Sequence, residues 1–260
     1  LLAFLVAVSA TLALRSARQP DSRIDVMAGV VAGLLALTRP DAVLYAAAYP
    51  VVIAFDRRGP TLATLRARLG PYVVAFGLVF GSYLAFRRAY FGDWVPNTFH
   101  AKMTTRMLDA SPVRAYELVR SAVGRAAWPV LAGVAAMIVA ARRDRDRARR
   151  LIVLGAYLLL AVAAYFLLPP DWMGEHRFAT GFFLLFYWVV GDLLAWLWLQ
   201  TEHSVARGLV ATGAVILLLG SIWIHGKRTS DFARHPTVPF EEVREQARRY
   251  NRLAEALAGC

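Results

Sequence analysis

Apolar residues in this chain gather into long runs at about 1–14, 24–37, 42–55, 71–86, 127–141, 151–168, 182–200 and 208–225, broken by clusters of Arg, Asp, Pro and Gly. Such runs predict membrane-crossing helices, with aromatic and Arg flanks completing the shorter ones at the interface, because a ~30 Å hydrocarbon core takes roughly 20 residues of helix. The expected fold is therefore all-α: a polytopic transmembrane helical bundle of about eight spans over residues 1–225. Beyond it, 226–260 is polar. There Phe240, Val243, Ala247, Tyr250, Ala254 and Leu257 recur at three- and four-residue steps after Pro239, predicting an amphipathic helix from Pro239 to Ala258. That helix either lies on the bilayer or begins a soluble extracytoplasmic domain.

Composition agrees with this reading. Hydrophobic residues make up 58% of 260 and the mean hydropathy is +0.46, too apolar for one soluble domain that must cover its surface with polar groups. The chain opens at Leu1 inside an apolar run, without Met or a basic region ahead of it, so it is expected to be a fragment. The net charge of +12 sorts by connection. Residues 15–23, 56–70 and 142–150 carry +2, +3 and +4, and 201–207 is neutral; the positive-inside rule makes this set cytoplasmic. The basicity thus records orientation rather than a nucleic-acid stripe, and no nucleic-acid partner is expected.

One connection on the opposite side breaks the rule. Segment 87–126 carries +4, with Arg87, Arg88 and Lys102 bracketing the turn formers Gly92, Pro96 and Asn97. An anionic ligand would compensate those cations. For Arg114, Arg120 and Arg125, snorkelling to headgroup phosphates explains as much. Two further connections share that side. Leu37-Thr38-Arg39-Pro40-Asp41 interrupts about thirty apolar residues, and its charges either serve a site or cap two helix ends. The segment Pro169–Phe178 holds Asp171, Trp172, Glu175, His176 and Arg177, and is either part of a composite polar site or an aromatic-belt turn.

Other chemistry finds no support. Cys260 is alone, the five His residues lack ligand spacing, and no nucleophile elbow, Walker loop or dinucleotide fingerprint occurs. No metal site is expected from the residues. Asp192, in the middle of an apolar run, should face the bundle interior, either paired, protonated or on a proton path.

The patterns Leu-Thr-Arg-Pro-Asp (37–41), Tyr-Phe-Gly-x-x-x-Pro-Asn-Thr-Phe-x-Ala-Lys (90–102) and Asp-Trp-Met-x-x-x-Arg-Phe (171–178) resemble those of bacterial GT-C membrane glycosyltransferases related to the mycobacterial terminal arabinofuranosyltransferase. The resemblance covers roughly residues 30–180. Phe91 and His100 stand where relatives tend to have Tyr, and Pro169-Pro170 replaces a more usual Gly-Gly. It implies an inner-membrane enzyme that moves a sugar from a polyprenyl-phosphate donor to an extracytoplasmic cell-envelope glycan or lipid acceptor. Arg39, Lys102, Arg177, Arg87 and Arg88 would then meet the donor phosphate, while Asn97, His100, Trp172 and His176 would contact sugar or acceptor. Asp171 would act as base or orient Arg177 or a divalent cation, since the family's catalytic carboxylate usually lies in an earlier outward loop. The competing expectation is a non-catalytic or transport membrane protein that binds an anionic lipid or solute, with Asp192 favouring transport.

Overall fold

The computed structural model describes residues 1–39, 42–54, 61–94, 112–141, 144–167 and 179–234. These are helical almost throughout, with no strand among the described residues. The helices are α1 (Leu2–Arg18), α2 (Ser22–Thr38), α3 (Val43–Ala46), α4 (Ala48–Ala54), α5 (Leu62–Phe76), α6 (Ser82–Phe91), α7 (Pro112–Val123), α8 (Ala127–Ala141), α9 (Arg145–Leu167), α10 (Thr180–Gln200) and α11 (Ser204–Arg234). A π-helical turn, Gly77–Gly81, joins α5 to α6 without a break.

Every apolar run coincides with a helix, but fewer helices than runs have the length of a span. Four qualify by length and composition: Leu62–Phe91, Arg145–Phe166, Thr180–Gln200 and Ser204–Lys227. A fifth is formed if Tyr116–Val123 and Ala127–Ala141, bent by 107° about Gly124, count as one. Helices α1 and α2 have 17 residues each, or about 25 Å of axis, short of the ~30 Å core. The pair α3–α4 is shorter still. The sequence boundaries also shift at two helices. Arg68, counted with the connection 56–70, lies inside α5, and α11 continues past residue 225 to Arg234. The expected helix Pro239–Ala258 lies outside the described residues.

Local chemistry sets the ends. Asp21 caps α2 by accepting from the Arg23 amide at 2.9 Å, and Thr61 caps α5 by accepting from the Thr64 amide at 3.2 Å. Arg39 is extended, φ −159° and ψ 145°, as a residue before proline prefers, so α2 stops there. Gly92, the turn former anticipated in the sequence, takes the left-handed conformation at φ 74° and its amide bonds the Arg88 carbonyl at 3.1 Å, closing α6.

Small residues decide the packing. Gly29 and Gly33 form a one-turn step on α2 against α5 and the π turn; a Cβ at Gly29 would stand 2.3 Å from the Tyr72 carbonyl oxygen, and one at Gly33 2.7 Å from the Val79 Cβ. Such close backbone approach is how helices associate where lipid supplies no hydrophobic drive between them. Because Gly29 meets Tyr72 and Gly33 meets Val79, α2 and α5 run parallel. Helix α1 lies at the centre, where Val6, Ala10 and Ala13 are fully buried beside Tyr45, Tyr49 and Tyr157.

The contacts sort the connections by end. Arg18, Asp144, Arg150 and Leu199 border one depression, and Ser16 meets Arg68, so 15–23, the start of α5, the start of α9 and the finish of α10 share one end of the bundle. At the other end Tyr45 touches Gly181, and Ala122 lies against Tyr187 and Ser221. These are the two groupings that the charge pattern separates.

Candidate functional site

Three of the sequence-nominated site residues fall within the described chain: Arg39, Arg87 and Arg88. Lys102, Arg177, Asp171, Asn97, His100, Trp172 and His176 lie outside the described residues. Arg39 follows α2 and is half-buried, its carbonyl accepting from the Ala42 amide at 3.0 Å. Arg87 and Arg88 lie near the end of α6. Since α2 and α5–α6 are parallel and in register at Gly33 and Val79, Arg39 is about 9 Å and Arg87 about 12 Å along the axis beyond that contact. All three cations are therefore at the same end.

Arg87 and Arg88 also have local partners. The Arg87 guanidinium is 5.2 Å from the Phe91 ring centroid, and that of Arg88 is 5.9 Å from the Trp94 ring. Arg88 also donates to the Gly92 carbonyl. With Tyr90 73% and Phe91 60% exposed, the tip of α6 has the make-up of an interfacial aromatic belt. Interfacial cations commonly make such ring contacts, and they hold Arg87 and Arg88 at the tip of α6.

The same end holds a concavity of ligand size. A groove of about 670 Å³ runs between α10 and α11, floored by Val190, Gly191, Leu194, Ala214, Leu217 and Leu218. That volume is in the range of small-molecule sites, roughly 300–1,000 Å³. Its polar groups are confined to one end. The Tyr187 hydroxyl donates to the Ala122 carbonyl at 2.8 Å, and with its single proton so used it accepts from His225 Nε2 at 3.0 Å, so Nε2 carries hydrogen. Ser221 Oγ donates to the same carbonyl at 3.3 Å. Two side chains thereby satisfy a carbonyl that the end of α7 leaves without a helical partner. What the groove offers a ligand is an apolar trough with one hydrogen-bonding end, the shape of a seat for a hydrocarbon chain with a polar head. Nothing in the sequence pattern distinguished Tyr187 or His225; only the helix crossing brings them together.

A second polar cluster also escaped the sequence reading. Asp25, 2% exposed, accepts from the Tyr49 hydroxyl and from Ser16 Oγ at 3.3 Å, and its Oδ1 is 3.7 Å from Arg68 Nη2. Arg68 Nη2 donates to Ser16 Oγ at 2.5 Å. Tyr49 stacks on Tyr72 at 5.0 Å, and farther along α1 Ser9 Oγ is 2.7 Å from the Tyr157 hydroxyl. The signal was present as an Asp one residue inside an apolar run and an Arg seven residues into the helix that Thr61 caps, but neither position alone reveals its partner. Asp192 faces the bundle as expected and is paired, with Arg150 Nη1 donating to its Oδ1 at 2.9 Å.

Among the described residues no group of three or more His, Cys, Asp or Glu is arranged to hold a metal ion. No protein-family model, curated protein or solved structure matches this chain.

Proposed function

We propose that this chain is the membrane-embedded part of a glycosyltransferase that takes a sugar from a polyprenyl-phosphate donor and passes it to an extracytoplasmic cell-envelope glycan or lipid acceptor. The observation that carries the reading is the sharing of one end of the bundle by Arg39, Arg87 and Arg88, with Arg39 inside a GT-C-like motif, and by the lateral apolar groove between α10 and α11. A lipid-phosphate sugar needs both kinds of surface. Its hydrocarbon must stay in an apolar trough, while charge growing on the leaving phosphate is stabilised by cations already in place. Lys102 and Arg177 join Arg39 in that role, Asn97, His100, Trp172 and His176 meet sugar or acceptor, and Asp171 takes the acceptor proton or orients Arg177.

The transport alternative drew on Asp192. That carboxylate pairs with Arg150, as Asp25 does with Arg68, so neither supplies the unpaired charge on which the transport alternative drew. The deciding experiment is transfer of labelled sugar from synthetic decaprenyl-phosphate sugars by the purified protein in liposomes. Incorporation into an added envelope glycan is expected. No transfer from any sugar of the panel, with the protein folded and membrane-inserted, overturns the proposal.

A further inference from the structure

At the end opposite the groove, a depression of about 190 Å³ lies where α1 and α8 finish, α9 begins and α10 finishes. Its charged lining is Arg18, Arg147 and Arg150 with Asp144, Asp146 and Asp192, and Trp196 stands beside them. Three opposed pairs would suggest a self-neutralised patch. Counting donors shows otherwise.

Each carboxylate has at least one hydrogen-bond donor on it. Asp144 Oδ1 accepts from the amides of Asp146 and Arg147 at 3.0 and 3.2 Å, capping α9, and Asp192 accepts from Arg150 at 2.9 Å. Asp146, on the rim, is tied to Arg149 at 3.3 Å. The guanidiniums are far less used. A guanidinium has five N–H donors. Arg150 spends one on Asp192. Arg147 is 3.8 Å from Asp144, too long for a hydrogen bond, and its guanidinium is 5.9 Å from the Trp196 ring. Arg18, on the last turn of α1, has no hydrogen bond or ion pair among the described residues. The surplus is of donors, so the complementary ligand is an anion with several acceptor oxygens.

Size and depth narrow the choice. At about 190 Å³ the site is too small for a nucleotide-sized molecule, which takes roughly 300 Å³ or more, yet well above the 10–15 Å³ that admits one water. Trp196 in the wall and Trp198, 43% exposed with Arg207 5.8 Å from its ring, mark this level as an interface belt. An Arg-lined hollow between spans at that depth suits a lipid phosphodiester. We propose that this depression binds the phosphate headgroup of an anionic phospholipid from the leaflet at the charge-rich end, held by Arg18, Arg147 and the unspent donors of Arg150. The inference is independent of the transferase reading, since it concerns the other end of the bundle.

Native mass spectrometry of the full chain, delipidated and then titrated with phosphatidylglycerol or phosphatidylcholine, tests it. Wild type should retain one phosphatidylglycerol at least tenfold more tightly than phosphatidylcholine. Arg18→Gln and Arg147→Gln should each lose most of that preference, while Arg15→Gln, on the same helix but outside the depression, should keep it. Arg18 is exposed, so its variant folds even if Arg147→Gln does not. Equal retention of both lipids, or an unchanged preference in Arg18→Gln, overturns the proposal. Glycerol 3-phosphate is the soluble arm. If it displaces phosphatidylglycerol at comparable concentration, the site is one for free phosphates and the lipid assignment is wrong.

Discussion

Asp25 and Arg68, 43 positions apart in the sequence, meet at 3.7 Å with both side chains nearly sealed from solvent, and Ser16 and Tyr49 complete their surroundings. The pair ties the start of α2 to α5, with α1 and α4 supplying the hydroxyls. Removing one partner strands the other charge in a dry site. Asp25→Asn or Arg68→Met should each destabilise the folded protein by about 3–5 kcal/mol, whereas the double change Asp25→Leu with Arg68→Met should be much milder, because no uncompensated charge remains. Unfolding of purified protein in a denaturant series reads the difference. Single variants as stable as wild type would mean the pair is solvated.

The glycine step on α2 makes an equally local prediction. Gly29→Val should disrupt the α2–α5 contact, since its Cβ would fall 2.3 Å from the rigid Tyr72 carbonyl oxygen. Gly155→Ala, inside α9 where a Cβ meets nothing within 4 Å, should be neutral or slightly stabilising because it favours helix. The expected gap between the two is at least about 2 kcal/mol, the scale of overpacking penalties. Yield and thermal stability in detergent report it.

Sidedness follows from the charge pattern and the shared ends. In intact cells, a membrane-impermeant thiol reagent should label Tyr90→Cys but not Asp146→Cys, in the background Cys260→Ser. Both positions are well exposed, at 73% for Tyr90 and 78% for the Asp146 side chain. Ala148, in the same basic segment, is buried and makes a poor reporter. Labelling of Asp146→Cys alone would invert the bundle.

The groove can be filled without touching its polar end. Gly191 lines it and has nothing within 4 Å of an added Cβ, so Gly191→Phe should fold. If the groove seats the donor's hydrocarbon, displacing a few methylenes at ~0.8 kcal/mol each should raise KM for decaprenyl donors at least tenfold and leave short-chain donors little changed. Equal effects on both donor lengths would place the lipid elsewhere.

How much of this was legible in the sequence depended on whether the signal was local. Apolar runs, the turn at Gly92 and the stop before Pro40 were legible because each depends on neighbouring residues. The reading failed where a charged residue sits inside a helix. Arg68 reads as part of a connection because Arg66-Ala67-Arg68 looks like a basic loop, and only packing against Asp25 and Ser16 makes it interior. Likewise the stretch Pro112–Trp128 looks like one helix, yet it breaks at Gly124, where φ is 58°. His225 drew notice only as a histidine without metal spacing. Its relation to Tyr187 depends on how α10 crosses α11, which no local pattern encodes.

Lys102 and Arg177 carry the phosphate role in the proposed reaction. If the proposed transfer reaction holds, Lys102→Ala and Arg177→Ala should lower turnover while Arg120→Ala should not. The first two are proposed to meet charge developing on the leaving phosphate, and losing such a donor from a dry site costs on the order of 3 kcal/mol, about a hundredfold in rate. Arg120, exposed on the last turn of α7, is placed for a headgroup contact, worth far less. Lys102→Arg separates the roles further, because a planar fork replaces a compact ammonium poorly in a tight pocket but equally well at an open interface. Near-normal transfer by Lys102→Ala would remove the phosphate role from segment 87–126. Its excess charge would then be explained by headgroup contacts beside the aromatic rings that lie against Arg87 and Arg88.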